Sequence, residues 1–428
     1  MLNTFAVSLL LLLIWGIVYF LLRKYISSSR FYFILLLAMG SAGLFIEDLP
    51  LMGLTPRTFG FFNIVLFAIL MVVIIIPWLS FDVLFKKAPV FVLKEQYIPK
   101  LKVVMIITIL LSIFSILYFA PYAALAMAMG GKDVRQLLLE SSLMPDTPIT
   151  TLAGGIASFF PVTILLFYIS LLHARLRKYS FFLAVSSLSY IVNALVFSGR
   201  DALIFTAMLY ILLFVIFRNS LSIKSLKKIK KVSFIIAPLA ALILLTISFD
   251  RFFSEGRGTK EAYDDLLFGT WGYFYQQPYV FDHTLESFTN FYGFKRRLMF
   301  LDNIIPIGGN EYSNFTDSKE EYMFGTQLKE FYEIAGYTSL AICTICYVFF
   351  FNRIITSLRR KRKIFPLLLA FTVFSLFTFS GMFYFRLAMN NNEFLFYVAI
   401  MISCFFIPDI LKVTYYNNVQ ITPTQRMS

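Results

Sequence analysis

Long runs of apolar residues are the feature that most restricts how this chain can fold. A helix needs about 20 apolar residues to cross a bilayer, and residues 5–22, 61–78 and 103–127 are runs of this kind. The chain has 428 residues, of which 14% are charged, whereas a soluble domain is about a quarter charged. The sequence therefore predicts an all-α integral membrane protein.

The hydropathy pattern predicts about eleven transmembrane helices in a single bundle domain, residues 1–428. Their approximate limits are 5–22, 31–46, 61–78, 103–127, 152–172, 181–197, 202–217, 232–249, 334–351, 365–382 and 394–410. One large loop, residues 250–333, interrupts this series. Cys343, Cys346 and Cys404 lie in apolar runs, where we expect small buried residues rather than a metal or redox motif.

Basic residues predict the orientation of the helices, because cytoplasmic loops are rich in Lys and Arg. Alternate loops carry 25 basic and three acidic residues, a net charge of +22, and the opposite side carries 13 basic and 21 acidic residues, a net charge of −8. This pattern predicts an N-terminus outside and a C-terminus inside. Orientation and contact with anionic membrane lipid explain the basic loops, so we expect no nucleic-acid partner.

The loop of residues 250–333 lies on the predicted outer side and combines charge with aromatic residues. It holds fourteen of the 24 Asp and Glu residues, and residues 271–283 read WGYFYQQPYVFDH. A disordered linker would contain few aromatic residues. We therefore interpret the loop as a partly buried segment that carries the chemistry.

Several arginines on the predicted outer side are candidates to bind an anion. Arg200 joins two spans with almost no loop, Arg251 and Arg257 follow the eighth span, and Arg297 lies in a basic cluster. Guanidinium groups bind phosphate oxygens through two parallel hydrogen bonds. The alternative for Arg200 is a structural pair with Asp201 or a lipid phosphate, and for the others it is a solvated loop.

His283 is the one histidine on the predicted outer side and is a candidate general base. A packed, hydrogen-bonded histidine is the alternative. Tyr273 and Tyr275 are candidates to stack on sugar rings, although an aromatic belt at the headgroup level also explains such residues. No Walker motif, dinucleotide loop or His/Cys metal pattern occurs, so we expect no cofactor and no metal.

The layout resembles the Wzy-type polymerases of bacterial O-antigen and capsule repeat units. Many spans with one large outer loop late in the chain carry the resemblance. So do two motifs: Ser198-Gly199-Arg200-Asp201, which opens a span, and residues 329–336, KEFYEIAG, which lead into the next span after the loop. Arg297 and a later Gly308 are similar to the arginine and glycine of the family's outer loops.

The resemblance implies a GT-C-like helical fold and a metal-independent glycosyltransferase in the bacterial inner membrane. The N-terminus would be periplasmic and the C-terminus cytoplasmic. Donor and acceptor would be oligosaccharides linked to polyprenyl pyrophosphate, and partners would include a flippase and a chain-length regulator. Arg200, Arg257 and His283 would be catalytic. Arg251, Arg297, Tyr273, Tyr275 and Glu330 would bind substrate, and a carboxylate near Glu330 or Glu255 is a further candidate base.

Three other functions fit part of the sequence. A flippase for lipid-linked oligosaccharide would have two pseudo-symmetric halves, and the sequence shows no internal repeat. An O-antigen ligase would share the fold and the chemistry and differ in its acceptor. A metal-dependent lipid-linked glycosyltransferase would use the carboxylate pair Glu47 and Asp48.

Overall fold

The computed structural model describes most of the apolar part of the chain. The described residues are 2–44, 58–86, 89–129, 147–196, 201–234, 238, 242, 245, 273–287, 291, 325–383 and 391–414. Strands β1 (Val90–Leu93) and β2 (Leu411–Thr414) pair in an antiparallel sheet. The helices are α1 (Thr4–Leu22), α2 (Arg30–Ala42), α3 (Phe61–Phe85), α4 (Ile98–Met129), α5 (Pro148–Ala157), α6 (Phe160–Leu171), α7 (Ser180–Ser186), α8 (Ser189–Val196), α9 (Asp201–Phe217), α10 (Tyr273–Ser287), α11 (Gln327–Arg360), α12 (Ile364–Phe383) and α13 (Asn391–Ser403).

The chain is an all-α membrane protein. Within the described residues, six helices are long and apolar enough to cross a membrane, and the bent pair α5 and α6 makes a seventh span if it counts as one. Helix α2 and residues 202–217 of α9 are apolar but shorter. Most of the predicted eighth span, residues 232–249, lies outside the described residues. The number of eleven spans and their orientation therefore stay predictions.

The described residues fall into two compact units, and the first comprises Met1–Lys86, Tyr263–Lys361 and Phe377–Ser403. In this unit α1 packs on α2 and α3, and α3 runs along α11. The buried Trp15 donates its indole N–H to the Ala68 carbonyl at 3.0 Å, and Trp78 donates to Thr378 Oγ1 at 3.0 Å. A buried indole needs such a partner, so these bonds fix how the apolar helices pack.

A buried aspartate of α3 holds the start of α2 in the same unit. Asp82 is 2% exposed, and its oxygens accept hydrogen bonds from Ser28 Oγ, Ser29 Oγ and the Ser29 backbone N–H. Ser29 is the N-cap of α2 and makes no cap with its own side chain. The carboxylate on a neighbouring helix thus supplies the cap, because a buried carboxylate requires donors.

The second unit comprises Lys87–Ala262, Arg362–Leu376 and Cys404–Ser428. Its helices pack mainly around α4, and two of its spans are interrupted. Helices α5 and α6 meet at an angle of 43°, and a turn at residues 187–188 separates α7 from α8. The Tyr168 hydroxyl donates to the Tyr210 carbonyl at 2.8 Å, and Ser187 Oγ lies 2.8 Å from the Tyr210 hydroxyl.

One aspartate also caps a helix of the second unit. Asp409 Oδ1 accepts from the backbone N–H groups of Ile364 and Phe365 at 3.1 and 2.9 Å, where α12 begins. Lys94, next to β1, lies 3.3 Å from Asp409 Oδ2. These bonds join the β1–β2 sheet to the start of α12.

The expectation of three buried cysteines is correct for Cys404 alone. Cys343 is half-buried and Cys346 is exposed, and all three are free thiols. Both Cys343 and Cys346 lie on α11, whose outward side also carries exposed apolar residues such as Ile342 and Ile345. A membrane helix can present small apolar side chains to lipid, so their apolar surroundings did not require burial.

Candidate functional site

Helix α10 is a polar helix buried among apolar ones in the first unit. It packs on α2, α3 and α11, and its buried residues include Gln276, Gln277 and Asp282. Its buried aromatic residues contact the surrounding helices, as Phe281 does with Phe67 at a ring-centroid distance of 5.3 Å. Buried amide and carboxylate groups need specific partners. Asp282 and Gln277 find theirs at the ends of neighbouring helices and so position those helices.

Asp282 holds the start of α3. Its Oδ1 accepts from the Gly60 N–H at 3.1 Å and from Asn63 Nδ2 at 2.9 Å. Gly60 is the N-cap of α3 and has no side chain to cap the helix. Asp282 therefore supplies the missing cap, and its negative charge is favourable at a helix N-terminus.

Gln277 binds the C-terminal end of α12. Its Nε2 donates to the Phe383 carbonyl at 3.1 Å, at the last residue of α12. A final-turn carbonyl lacks a partner within its own helix, and Gln277 supplies one. Helix α10 is thereby tied to the C-terminal end of α12.

Helix α11 consists of two parts separated by a break. Ala335 and Gly336 have non-helical backbone angles, with φ +71° and ψ −148° at Gly336. We call residues 327–334, before the break, the short arm. Ser339 stabilises the break, because its Oγ accepts from the Ala335 N–H at 2.8 Å and contacts the Phe331 and Gly336 carbonyls at 2.6 and 2.9 Å.

Three ionisable side chains of the short arm are buried. Lys329, Glu330 and Glu333 are 6%, 5% and 6% exposed. Lys329 Nζ lies 3.4 Å from Glu333 Oε1, four residues further along the helix. Removal of charges from water is costly and is rare without pairing or function. Such a concentration of charge on one turn of helix marks the short arm as the centre of the candidate site.

Two polar residues at the start of the short arm are fully buried: Thr326 is 1% and Gln327 0% exposed. The Thr326 hydroxyl makes no hydrogen bond, and the Gln327 amide faces the Tyr347 hydroxyl. Thr326 is the N-cap of α11, yet its side chain does not cap the helix. About nine in ten buried polar groups in proteins have a partner, so the Thr326 hydroxyl is an exception.

Gln327 lies against α12 and near the hydroxyl groups of Tyr347 and Thr378. A Cβ atom at Gly381 would lie only 2.5 Å from Gln327 Oε1, so the amide needs a glycine there. The Tyr347 hydroxyl is a neighbour of Gln327 and lies 3.2 Å from Thr378 Oγ1. The start of the short arm, α10 and the end of α12 thus converge, since Gln277 binds Phe383 two residues beyond Gly381.

Two aromatic rings pack on Tyr332 of the short arm. The Tyr332 ring lies 5.8 Å from Phe291 and 5.2 Å from Tyr337, with the rings steeply inclined in both pairs. The Tyr332 hydroxyl donates to the Leu285 carbonyl of α10 at 3.3 Å. Phe291 also contacts Gly336, where an added Cβ would lie 3.1 Å from the ring.

Glu330 and His283 are two of the sequence-predicted site residues that the structure describes. Glu330 is on the short arm, and His283 is on α10, half-buried and stacked on Tyr279 at a centroid distance of 6.2 Å. Asp282, next to His283 in the chain, caps α3. The roles of Glu330 and His283 stay predictions.

Tyr275 is packed between helices. It is 5% exposed, and its hydroxyl lies 2.8 Å from Thr4 Oγ1 of α1. Burial raises the pKa of the Tyr275 phenol to about 12, while the hydrogen bond with Thr4 acts in the opposite direction. Tyr273 begins α10, and its side chain lies outside the described residues.

The other predicted residues lie outside the part of the chain that the structure describes. These are the arginines of the anion-binding hypothesis, Arg200, Arg251, Arg257 and Arg297. The others are Gly308, the candidate base Glu255, and Glu47 and Asp48 of the metal-dependent alternative. Within the described ranges, no three His, Cys, Asp or Glu side chains are placed to hold a metal ion.

Sequence reasoning identified the acidic short arm but missed Thr326, Gln327, Gln276 and Gln277. The chain shows Gln276-Gln277 next to Pro278 in an aromatic run and Thr326-Gln327 two residues before Lys329. Uncharged amides in a loop carry little signal by themselves, because the same residues are common on solvated surfaces.

The fold and this site define a helical membrane protein with a buried polar centre between apolar helices. No family model matches the chain, no curated protein matches it, and no solved structure matches it. What the protein does is therefore inferred from its residues.

Proposed function

We propose that the protein polymerises oligosaccharide repeat units linked to polyprenyl pyrophosphate, on the outer face of a bacterial inner membrane. The observation that carries this proposal is the burial of Lys329, Glu330 and Glu333 on a helix that packs on the polar helix α10. Ionisable groups within a membrane bundle are usually functional. Amides and carboxylates flanked by aromatic rings also suit a sugar ligand. The polar groups can form hydrogen bonds with the sugar hydroxyls, and the aromatic rings can pack on its C–H faces.

The reaction would be a single glycosyl transfer. An acceptor sugar hydroxyl attacks the anomeric carbon of the donor glycan, a new C–O glycosidic bond forms, and the C–O bond to pyrophosphate breaks. The hydroxyl proton passes to a base, and polyprenyl pyrophosphate leaves with the bonding electron pair. The leaving diphosphate gains charge, which cations stabilise. Arg200 and Arg257 are the proposed cations, with Arg251 and Arg297 as further contacts.

Glu330 is the proposed general base. It is buried on the first turn of the short arm, and a carboxylate within hydrogen-bond reach of an acceptor hydroxyl can take up its proton. Lys329, its neighbour, is engaged with Glu333 at 3.4 Å. His283 is the alternative base.

A deletion strain tests the proposal. Surface glycan separated on a gel should shorten to a single repeat unit when the gene is deleted, and the wild-type gene should restore the long chains. Glu330→Gln removes the base with little change of shape and should leave single repeats at a normal protein level in the membrane. Glu95→Gln, an exposed carboxylate of the second unit, is the matched control and should restore long chains.

A flippase is the second candidate, because the helices are interrupted in several places. The bend between α5 and α6, the turn between α7 and α8 and the break in α11 resemble the discontinuous helices of transporters. The same deletion strain distinguishes the two functions. A polymerase defect leaves single repeats on the surface, whereas a flippase defect leaves no surface glycan. Normal long chains in the deletion strain would contradict both functions.

A further inference from the structure

The start of the short arm carries polar groups that folding alone does not explain. The Thr326 hydroxyl is buried without a hydrogen bond, and next to it in the chain the fully buried Gln327 amide faces the Tyr347 hydroxyl. Apolar residues of the same shape at these positions would avoid the cost of desolvating the hydroxyl and the amide. Residues that lower stability in this way are characteristic of functional sites.

The position of these groups relates them to the proposed base. Gln327 and Glu330 are three residues apart on the same helix, and residues at this spacing lie on neighbouring turns of one face. Glu330 is also buried. A ligand atom bound by the Gln327 amide would therefore lie within one helical turn of Glu330.

We infer that Thr326 and Gln327 form the subsite that binds the neutral sugar of the lipid-linked acceptor. This inference rests on the proposed polymerase function and assigns the acceptor position within it. A glutamine amide offers two donor hydrogens and an acceptor oxygen, and a threonine hydroxyl can donate and accept. This set pairs with adjacent hydroxyls, or with the acetamido group of an amino sugar, and offers no charge to a phosphate.

Access to the subsite requires the short arm to move, because both side chains are buried. The break at Ala335 and Gly336 separates the arm from the rest of α11, and residues with unusual backbone angles at the end of an element can absorb such a motion. The acceptor sugar then takes the hydrogen bonds of Thr326 and Gln327 and brings its hydroxyl to Glu330.

Substitutions that keep the shape and remove the polar atoms test the inference. Gln327→Met and Thr326→Val are compared with Thr284→Val, a buried hydroxyl of α10 that bonds the Val280 carbonyl of its own helix. The purified full-length variants are measured for unfolding temperature. They are also measured for binding of the polyprenyl-pyrophosphate-linked repeat unit that is extracted from the deletion strain.

We expect Thr326→Val to unfold at the wild-type temperature or above it and to bind the lipid-linked unit about tenfold more weakly or worse, since lost ligand hydrogen bonds change affinity on that scale. Gln327→Met should bind as weakly per folded molecule, and Thr284→Val should bind normally. If Thr326→Val and Gln327→Met bind as wild type does per folded molecule, the inference is overturned while the polymerase function stands. Absence of binding by the wild-type protein would overturn both.

Discussion

Lys329 and Glu333 form an ion pair of 3.4 Å in which both side chains are only 8% exposed. The pair is one helical turn long and lies on the short arm, next to Glu330. Attraction between two buried charges is offset by the loss of their hydration, so the pair itself adds little net stability. Loss of one partner is different, because it removes the attraction and leaves the cost of burying the other charge.

Single substitutions in this pair should therefore be more damaging than the double substitution. Lys329→Met or Glu333→Leu should each lower the free energy of unfolding by roughly 3–5 kcal/mol, whereas the double variant should recover most of that loss. Chemical unfolding of the four proteins in detergent measures the coupling. Additive losses in the double variant would show that the two side chains do not depend on each other.

Gly336 should not tolerate a side chain. Its φ of +71° and ψ of −148° suit glycine, and a Cβ would meet the Phe291 ring at 3.1 Å. Gly336→Ala should thus lower stability by about 1–3 kcal/mol or straighten the break.

Gly155→Ala is the matched control for this substitution. A Cβ at Gly155 would meet nothing within 4 Å, and the residue lies inside α5, where alanine is favoured over glycine by roughly 0.5–1 kcal/mol. Thermal unfolding should rank Gly155→Ala at or above wild type and Gly336→Ala below it. Equal behaviour of the two variants would mean that the break does not depend on glycine.

Tyr275 predicts an effect of alkaline pH. Its pKa is raised to about 12 in the fold, mainly by burial, above the ordinary value of about 10 in an unfolded chain. The folded state holds the phenolic proton more tightly, so the contribution of this group is fully present below pH 10 and is lost as the pH rises from 10 towards 12.

Comparison with Tyr275→Phe isolates this contribution from the other tyrosines. The variant loses the hydrogen bond with Thr4 and should be less stable by about 0.5–1.5 kcal/mol near neutral pH. Above pH 10 the wild-type protein should lose that advantage, which unfolding at pH 8 and pH 11 measures. A stability difference that does not change with pH would rule out the buried neutral phenol.

The sequence predicted an all-α membrane protein because its hydrophobic runs are long and local, and six helices within the described residues are long and apolar enough to cross a membrane. It placed the ninth span at residues 334–351, and the structure extends this helix back to Gln327 across a break. Gly336 was part of the motif of residues 329–336, but a glycine in a helical run does not by itself reveal a positive φ.

Tertiary contacts of the site were beyond sequence reasoning. Asp282 caps the helix that begins at Phe61, more than 200 residues earlier in the chain, and nothing near either residue encodes that pairing. The same holds for the approach of Gln327 to Gly381. Burial of Lys329, Glu330 and Glu333 ran against the usual exposure of charged residues in a loop.

The arginine hypothesis makes its own prediction, although Arg200 and Arg257 lie outside the described residues. Two guanidinium groups that share a diphosphate would hold it in one orientation, which a lysine cannot reproduce. Arg200→Lys should lower chain extension by about 100–1,000-fold at a normal protein level, and Arg200→Ala should be worse. If Arg200 only pairs with Asp201 or a lipid, Arg200→Lys should hardly change chain extension, and Arg200→Ala should reduce the protein level.

Reconstitution tests the polymerase function most directly. Purified protein in proteoliposomes is supplied with the lipid-linked repeat unit alone, and the products are separated by glycan length. The wild-type protein should produce a ladder of multiples of the repeat unit and release polyprenyl pyrophosphate, and Glu330→Gln at the same protein level should produce neither. A wild-type protein that leaves the repeat unit unjoined, or moves it across the bilayer without joining it, would contradict the proposed function.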